Sequence, residues 1–447
     1  MPTKCYITGL PLNILSQICK KIVKGGEDTT TLARLARTCR ILGEVTAKRL
    51  YSHLVDRAHH PYYLTPPINH SIRLNLPALQ HTLFSNREVA KVVRTIHLVG
   101  NRSSTEHRQY EFQYSPVATR PPLVNLYRNM AIQELFGLDP SMPNSFQDPI
   151  NMLALAFLSP NLEHLDLYAS SAWRSTDFLL RRVNGRLAGA RRTLDNLKVL
   201  IIRHYRAQGQ SYVFRPQSGI NLQHLNGLLY GTPRITNLEV QCARGGTSLT
   251  CRLPFLTKLV LTDAHLCARG LRLLLRGCTR LVTFVFTQEK VARLSPRFLP
   301  VSPGQILAGL APSGNTLRNL HIAPWILDDN DPRTGPYTLL ERFGRFPGLR
   351  QLLVCLDALE GLLLTGVSAP FEQAFVPFVR CVMDLNCPHL KTVMVQTLRM
   401  DKDRMWGRVE DAQAWEAQVA DKLENDMLGQ GDIAIRTLSE NSAIAKL

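Results

Sequence analysis

The ten cysteines, at positions 5, 19, 39, 242, 251, 267, 278, 355, 381 and 387, include no Cys-x-x-Cys pair. A zinc site needs close ligand pairs, because one turn must present two thiolates to a single tetrahedral ion. The spacing therefore gives no RING-type or other zinc site, and no metal ligands are expected. Scattered cysteines fit reduced, mostly buried thiols in a cytoplasmic or nuclear protein. Long hydrophobic runs are missing too. "LRLLLRGC" and "EGLLLTGV" fall far short of the roughly 20 apolar residues a membrane span takes. The opening "MPTKCYITGLP" lacks an apolar core followed by a small-residue cleavage site, so neither a secretory signal nor a membrane partner is expected.

Catalytic signatures are absent as well. There is no Gly-x-x-x-x-Gly-Lys-Ser/Thr, no Gly-x-Ser-x-Gly and no His-Glu-x-x-His, and no cysteine is singled out as an activated nucleophile. "KGGED" lacks the phosphate-binding lysine and hydroxyl. The thirteen histidines are dispersed, and His59–His60 reads as a solvated loop pair. No enzyme activity and no cofactor follow from these residues.

Acidic residues are the scarce charge: 35 Asp and Glu stand against 53 Lys and Arg, for a formal net charge of +18. From Asp401 onward ten acidic side chains face six basic ones, net −4, which leaves +22 on residues 1–400. A basic body with an acidic end suits an acidic partner, nucleic acid or an intramolecular contact, and does not choose among them. Hydrophobic content of 45% is ordinary for a globular chain, and 447 residues exceed a single core, so several domains or a repeat array are expected.

The first 56 residues read as a small helical module. In "LPLNILSQICKKI", Leu10, Ile14, Leu15, Ile18 and Ile22 recur at helical spacing behind Pro11, a residue suited to a first helical turn. "VKGGEDTTT" then breaks the pattern, and a second helical run follows through Leu32, Leu35, Ala36, Cys39, Leu42, Val45, Leu50 and Leu54. Two or three helices in so short a stretch bury too little surface to stand alone, so the module leans on the body, on a partner, or on both.

From residue 93 to 400 one short motif recurs: aliphatic, two residues, aliphatic, one residue, aliphatic. Its first aliphatics are Val93, Leu162, Leu197, Ile235, Leu256, Leu281, Leu317, Leu349 and Leu390, and after the first gap the steps run from 21 to 41 residues. Chance alone produces such windows in a Leu-rich chain, so the context carries the argument. Many copies follow a turn cluster such as "GTPR", "GCTR" or "FPG", preceded by an amphipathic stretch such as "ARGLRLLLR", "PGQILAGL", "TLLERFGR" or "EQAFVPFVRCVMDL". Helix, turn, short strand, repeated, predicts an α/β chain in which short parallel strands alternate with helices, as in an irregular leucine-rich-repeat solenoid without the consensus Asn at each strand's exit. Residues 57–92 read as a connecting segment, and 99–150, rich in Pro and polar residues, as an insertion with a helix around Leu123–Leu135. Residues 401–447 read as an acidic helix and tail, with Trp406, Val409, Trp415, Val419 and Leu423 near helical spacing.

The order Leu-Pro, aliphatic pair, break, Leu-x-x-Leu-Ala-x-x-Cys-Arg, Leu-Tyr over residues 8–54 resembles an F-box, the module that docks the Skp-type adaptor of cullin–RING ubiquitin ligases. Followed by the repeats, it resembles the F-box leucine-rich-repeat proteins, fungal ones with divergent repeats in particular. The resemblance implies adaptor-facing positions at Leu10, Pro11, Ile14, Leu15, Ile18, Leu32, Leu35, Cys39, Leu42, Leu50 and Tyr51. It also implies a non-catalytic substrate-recognition subunit of an SCF-type ligase, with an unknown protein target held by the repeats. An ordinary helical cap on the body is the competing reading of the same residues.

Between the motif's aliphatics lie the side chains that strand alternation places on the opposite face. They include His164, Asp166 and Tyr168, then Arg203, Glu239, Lys258 and His321. Of these, Tyr168, Arg203, Glu239, Lys258 and His321 are the candidate target-binding residues, against the alternative of a solvated inner face. Two arginine-rich stretches, "RRVNGRLAGARR" and "ARGLRLLLRGCTR", complete the inventory; the second spaces Arg269, Arg272, Arg276 and Arg280 along one helical face. Both suit acidic or phosphorylated peptides, nucleic-acid phosphates or plain solvent. A basic scaffold for nucleic acid or acidic proteins is thus the alternative function. Nucleic acid is the less favoured partner, because no interleaved aromatics accompany the charges.

Overall fold

A computed structural model of the chain describes residues 10–24, 34–38, 40–55, 76–99, 153, 155–169, 194–204, 220–230, 232–245, 252–288, 301, 303–323, 346–355, 389, 392–397 and 434–439. The expected helices around Leu123–Leu135 and after Met400, the stretches "TLLERFGR" and "EQAFVPFVRCVMDL", the first arginine-rich stretch and His59–His60 lie outside them. The chain divides into two compact units, Met1–Gln210 with Gly227–Ile235, and Ser211–Asn226 with Thr236–Leu447.

The first unit opens with α1 (Leu12–Lys24), a single helical turn at residues 34–36, and α2 (Arg40–Ser52). Ile14 and Leu15 donate their backbone N–H groups to the Pro11 carbonyl at 3.0 and 3.1 Å, so Pro11 stands at the helix entrance, where its missing N–H costs nothing. The second predicted run is interrupted: Thr38 turns back on the Leu35 carbonyl through both its N–H (3.1 Å) and its hydroxyl (2.7 Å). Leu54, read from spacing as helical, lies instead in strand β1 (His53–Val55), where it is buried.

Helices α3 (Leu76–Ser85) and α4 (Arg87–Val92) lead into β2 (Thr95–Val99), with β3 (His164–Ala169) and β4 (Val199–His204) after it. The side chain of Asn86 caps α4 by accepting from the Val89 N–H at 3.2 Å, the preferred chemistry for an orphan first-turn donor. α1 packs on α2, and α4 touches both α2 and α3. Strands β1, β2, β3 and β4 pair in parallel in chain order, with Ile96, Leu165 and Leu200 in register.

The second unit begins at β5 (Ile220–Asn221), followed by a 3₁₀ turn; helix α5 (Asn226–Tyr230) comes next in the chain, and from Gly227 on it belongs to the first unit. Then come β6 (Asn237–Gln241), β7 (Ala243–Gly245), β8 (Lys258–Thr262), β9 (His265–Leu266), α6 (Ala268–Arg276), β10 (Thr283–Thr287), α7 (Pro303–Leu310), β11 (Asn319–Ala323), β12 (Gln351–Cys355), β13 (Thr392–Thr397) and β14 (Ala434–Ser439). β6, β8, β10, β11, β12, β13 and β14 form neighbouring parallel pairs in that order. β5, β7 and β9 make a second, smaller parallel sheet. Two of the amphipathic stretches, "ARGLRLLLR" and "PGQILAGL", coincide with α6 and α7, which pack on each other.

The fold is therefore α/β, with mostly parallel strands alternating with helices. Burial explains why the short motif forms it. Its first aliphatics from Val93 to Leu349 are all buried, and the second ones stack as Leu238, Leu259, Phe284, Leu320 and Leu352. Each such side chain contributes about 1.5–3 kcal/mol when fully buried. Phe284 and Phe286, both fully buried, stack at 6.4 Å between centroids.

A repeated backbone fork sets the register. The residue after the first aliphatic accepts two N–H groups from the next copy: Arg94 from Glu163 and His164, Thr257 from Val282 and Thr283, Val282 from Arg318 and Asn319, Arg318 from Arg350 and Gln351. At the strand exits the missing Asn is replaced by left-handed turns at Cys242 (φ 57°) and Asp263 (φ 51°). These turns are held by Cys242 N–H on the Thr262 carbonyl at 2.8 Å and Asp263 N–H on the Thr287 hydroxyl at 3.0 Å. Five strands lie where the sequence did not point to them: β1 pairs with β2 ahead of the first motif copy, β5, β7 and β9 make up the smaller sheet, and β14 falls within 401–447, a region read as helix and tail.

Candidate functional site

α1 carries two apolar faces. Leu15 and Cys19, four residues apart, are 1% and 0% exposed, whereas Ile14 and Ile18 are 38% and 40% exposed. At 3.6 residues per turn the Ile14/Ile18 row is rotated by about 60–100° from Leu15. Leu10, Leu12 and, on α2, Ile41 are exposed as well. Five of the seven exposed large apolar side chains among the described residues thus lie between positions 10 and 41. Burial pushes the Cys19 thiol up, against the pull of the Arg49 charge, which favours the neutral thiol over the thiolate.

The adaptor-facing positions implied by the resemblance separate accordingly. Leu10, Pro11, Ile14 and Ile18 are open to solvent; Leu35, Leu50 and Tyr51 are half-buried. Leu15 and Leu42 are buried within the unit. Leu32 and Cys39 lie outside the described residues.

The second candidate surface is the face of each sheet opposite the motif's aliphatics. In the first unit the parallel register sets His97 beside Asp166, and Tyr168 beside Arg203. Nδ1 of His97 and Nη2 of Arg203 both reach Oδ2 of Asp166, at 2.8 and 3.6 Å. The Asp166 side chain is only 4% exposed, and its Oδ1 is buried without a hydrogen-bond partner. Arg203 thus spends its charge on a neighbour within the fold. His97, absent from the candidate residues drawn from sequence, was legible as the position in "VVRTIHL" that matches Asp166 in "NLEHLDL".

At the strand entrances Glu163 takes Lys198 at 2.8 Å and Arg94 at 3.8 Å. The hydrogen bond from Lys198 holds its carboxyl below the usual range, although the group is exposed.

In the second unit Lys258 and Glu239 pair across adjacent strands at 3.2 Å, both part-buried. His321 shares the register row of Glu239, three strands further along, but is buried. The expected polar face is in fact mixed, because that row carries Val260, Val285, Leu353 and Met394 between and beyond them. The five candidate target-binding residues therefore form two sets, Tyr168 with Arg203 in one unit and Glu239, Lys258 and His321 in the other.

The basic stretch of α6 also differs from its helical-face reading. Arg269, Arg272 and Arg276 are exposed on the helix, but α6 ends at Arg276, and Arg280 lies in the following turn over the Phe255 ring at 5.7 Å.

Among the described residues no three His, Cys, Asp or Glu side chains converge as metal ligands would, and no helix is long and apolar enough to cross a membrane. Compared with known proteins, the chain matches no family model and no curated sequence.

Proposed function

We propose that the chain is the substrate-recognition subunit of an SCF-type cullin–RING ubiquitin ligase. Residues 8–54 act as an F-box that grips a Skp-type adaptor, and the body is an irregular leucine-rich-repeat solenoid that holds a target protein. The observation that carries the reading is the second apolar face of α1. A helix that seats Leu15 and Cys19 inside its own unit has no folding reason to present Ile14 and Ile18 to water, with Leu10 exposed just ahead of it. Clustered apolar exposure of this kind suits a docking surface. The Leu-Pro opening and the Leu-x-x-Leu-Ala-x-x-Cys-Arg spacing name the partner. Strands that pair in parallel in chain order within each unit are the arrangement a repeat array gives. The chain is non-catalytic in this proposal: it positions the target near a charged conjugating enzyme, and proximity supplies the rate.

Co-purification of the full chain with a Skp-type adaptor tests it. The complex is expected to form, and Ile14→Ala/Ile18→Ala is expected to lose it while staying folded. An intact chain that fails to retain the adaptor makes the N-terminal helices a cap on the body.

A further inference from the structure

Among the described residues, two exposed large apolar side chains lie outside the N-terminal module, Phe255 and Val282, at the entrances of two adjacent strands. Phe255 lies in the turn entering β8 and Val282 at the entrance of β10, where its N–H donates to the Thr257 carbonyl at 2.8 Å. The next entrances along the same sheet carry Arg318, bonded to the Val282 carbonyl, and Arg350, bonded to the Arg318 carbonyl, each at 2.8 Å. Neighbouring strands are about 4.8 Å apart, so Arg280, Val282, Arg318 and Arg350 form one continuous edge beside Phe255.

Among the described residues this edge lacks counter-charge. Among the described residues of this unit ten Lys and Arg face two acidic side chains, Glu239 and Asp263, and Glu239 is already paired with Lys258. Arg280, Arg318 and Arg350 enter none of the ion pairs of the described residues. Nη1 of Arg318 is pressed against Gly348, where a Cβ would meet it, and is buried without a hydrogen-bond partner. Exposed Arg272 and Arg276 on α6 extend the same positive field.

We infer that this edge is a docking site for an acidic peptide segment with an apolar anchor. The Phe255–Val282 pair receives the apolar side chain, and the Arg280, Arg318 and Arg350 guanidinium groups receive the Asp or Glu carboxylates that follow it. Guanidinium forks match carboxylates bidentately. A single-stranded nucleic acid would need open aromatic faces for its bases. Arg280 already lies over Phe255, so the geometry favours the peptide. The site is in a different unit from α1 and does not depend on the adaptor reading.

The test is fluorescence anisotropy with the full chain alone. The probes are a labelled peptide bearing a Leu-Phe pair followed by a run of Glu, its twin with Gln for every Glu, and a short single-stranded DNA. The Glu peptide is expected to bind, with affinity that falls as salt rises. The Gln twin and the DNA are expected to bind more weakly. Arg280→Ala/Arg318→Ala is expected to weaken the peptide by on the order of tenfold or more. Arg350→Glu does the same should the double variant not fold, as checked by circular dichroism. Equal binding of the Gln twin, unchanged affinity in the folded variants, or preference for DNA at matched salt would each overturn the assignment. The last would give the edge to nucleic acid.

Discussion

Shortening Leu15 and shortening Ile18 should have opposite consequences, though the two residues are less than one helical turn apart. Leu15 is 1% exposed and packed inside the unit. Leu15→Ala therefore loses both transfer energy and packing, and leaves a cavity, for about 3 kcal/mol within the usual range of 2–5. Ile18 is 40% exposed, so truncation gives up only part of a burial term of roughly 1.5–3 kcal/mol. Alanine is also the better helix former by a few tenths of a kcal/mol, which offsets some of that loss. Native-state hydrogen exchange of the α1 amides reads both effects locally. At about 1.36 kcal/mol per tenfold, Leu15→Ala should speed exchange on the order of a hundredfold, and Ile18→Ala by less than about tenfold. Equal acceleration in the two variants would refute the division of α1 into an inner and an outer face.

Three further outcomes follow from the packing. Burial holds the His265 imidazole below its ordinary 6.5, with the Asp263 charge opposing. The unfolded chain therefore takes up a proton near 6.5 that the folded chain refuses, so stability falls as pH drops through that value and levels off below the folded pKa. Urea midpoints should show this slope and lose part of it in His265→Leu; an unchanged slope would argue against a buried neutral His265. Phe286→Ala should cost about 3–5 kcal/mol, because the side chain fills the row between Leu261 and Ile322; a loss under about 1 kcal/mol in chemical denaturation would contradict that placement. Asp166→Ala should cost about 1–3 kcal/mol by leaving His97 and Arg203 without their shared carboxylate; His97→Ala measured in the Asp166→Ala background should then cost much less than in the parent chain.

What was legible in the sequence was the part governed by local period. The motif's aliphatics, the helices α6 and α7 and the start of α1 follow directly from apolar spacing and Pro11. Leu54 was misplaced because a helical period and a strand period both admit an apolar residue there, and pairing of His53–Val55 with β2 decided it. Ile14 and Leu15 look alike as neighbours in a helical pattern, and only packing on the rest of the unit separates the exposed one from the buried one. Aligning the first two motif copies matches His97 to Asp166 across more than sixty residues, but only the structure shows that their side chains pair. The face around His321 is mixed because strand register, which the motif alone does not give, sets Val260 and Val285 in the same row.

A calorimetric titration of the purified chain with a Skp-type adaptor tests whether the outer face of α1 binds that adaptor. An adaptor-binding α1 predicts a saturable complex, with a negative heat-capacity change from apolar burial. It also predicts that Ile14→Ala/Ile18→Ala weakens binding by several kcal/mol while the fold is kept, as expected for anchors near an interface centre. No detectable binding by the intact chain, or equal affinity in the variant, would contradict it.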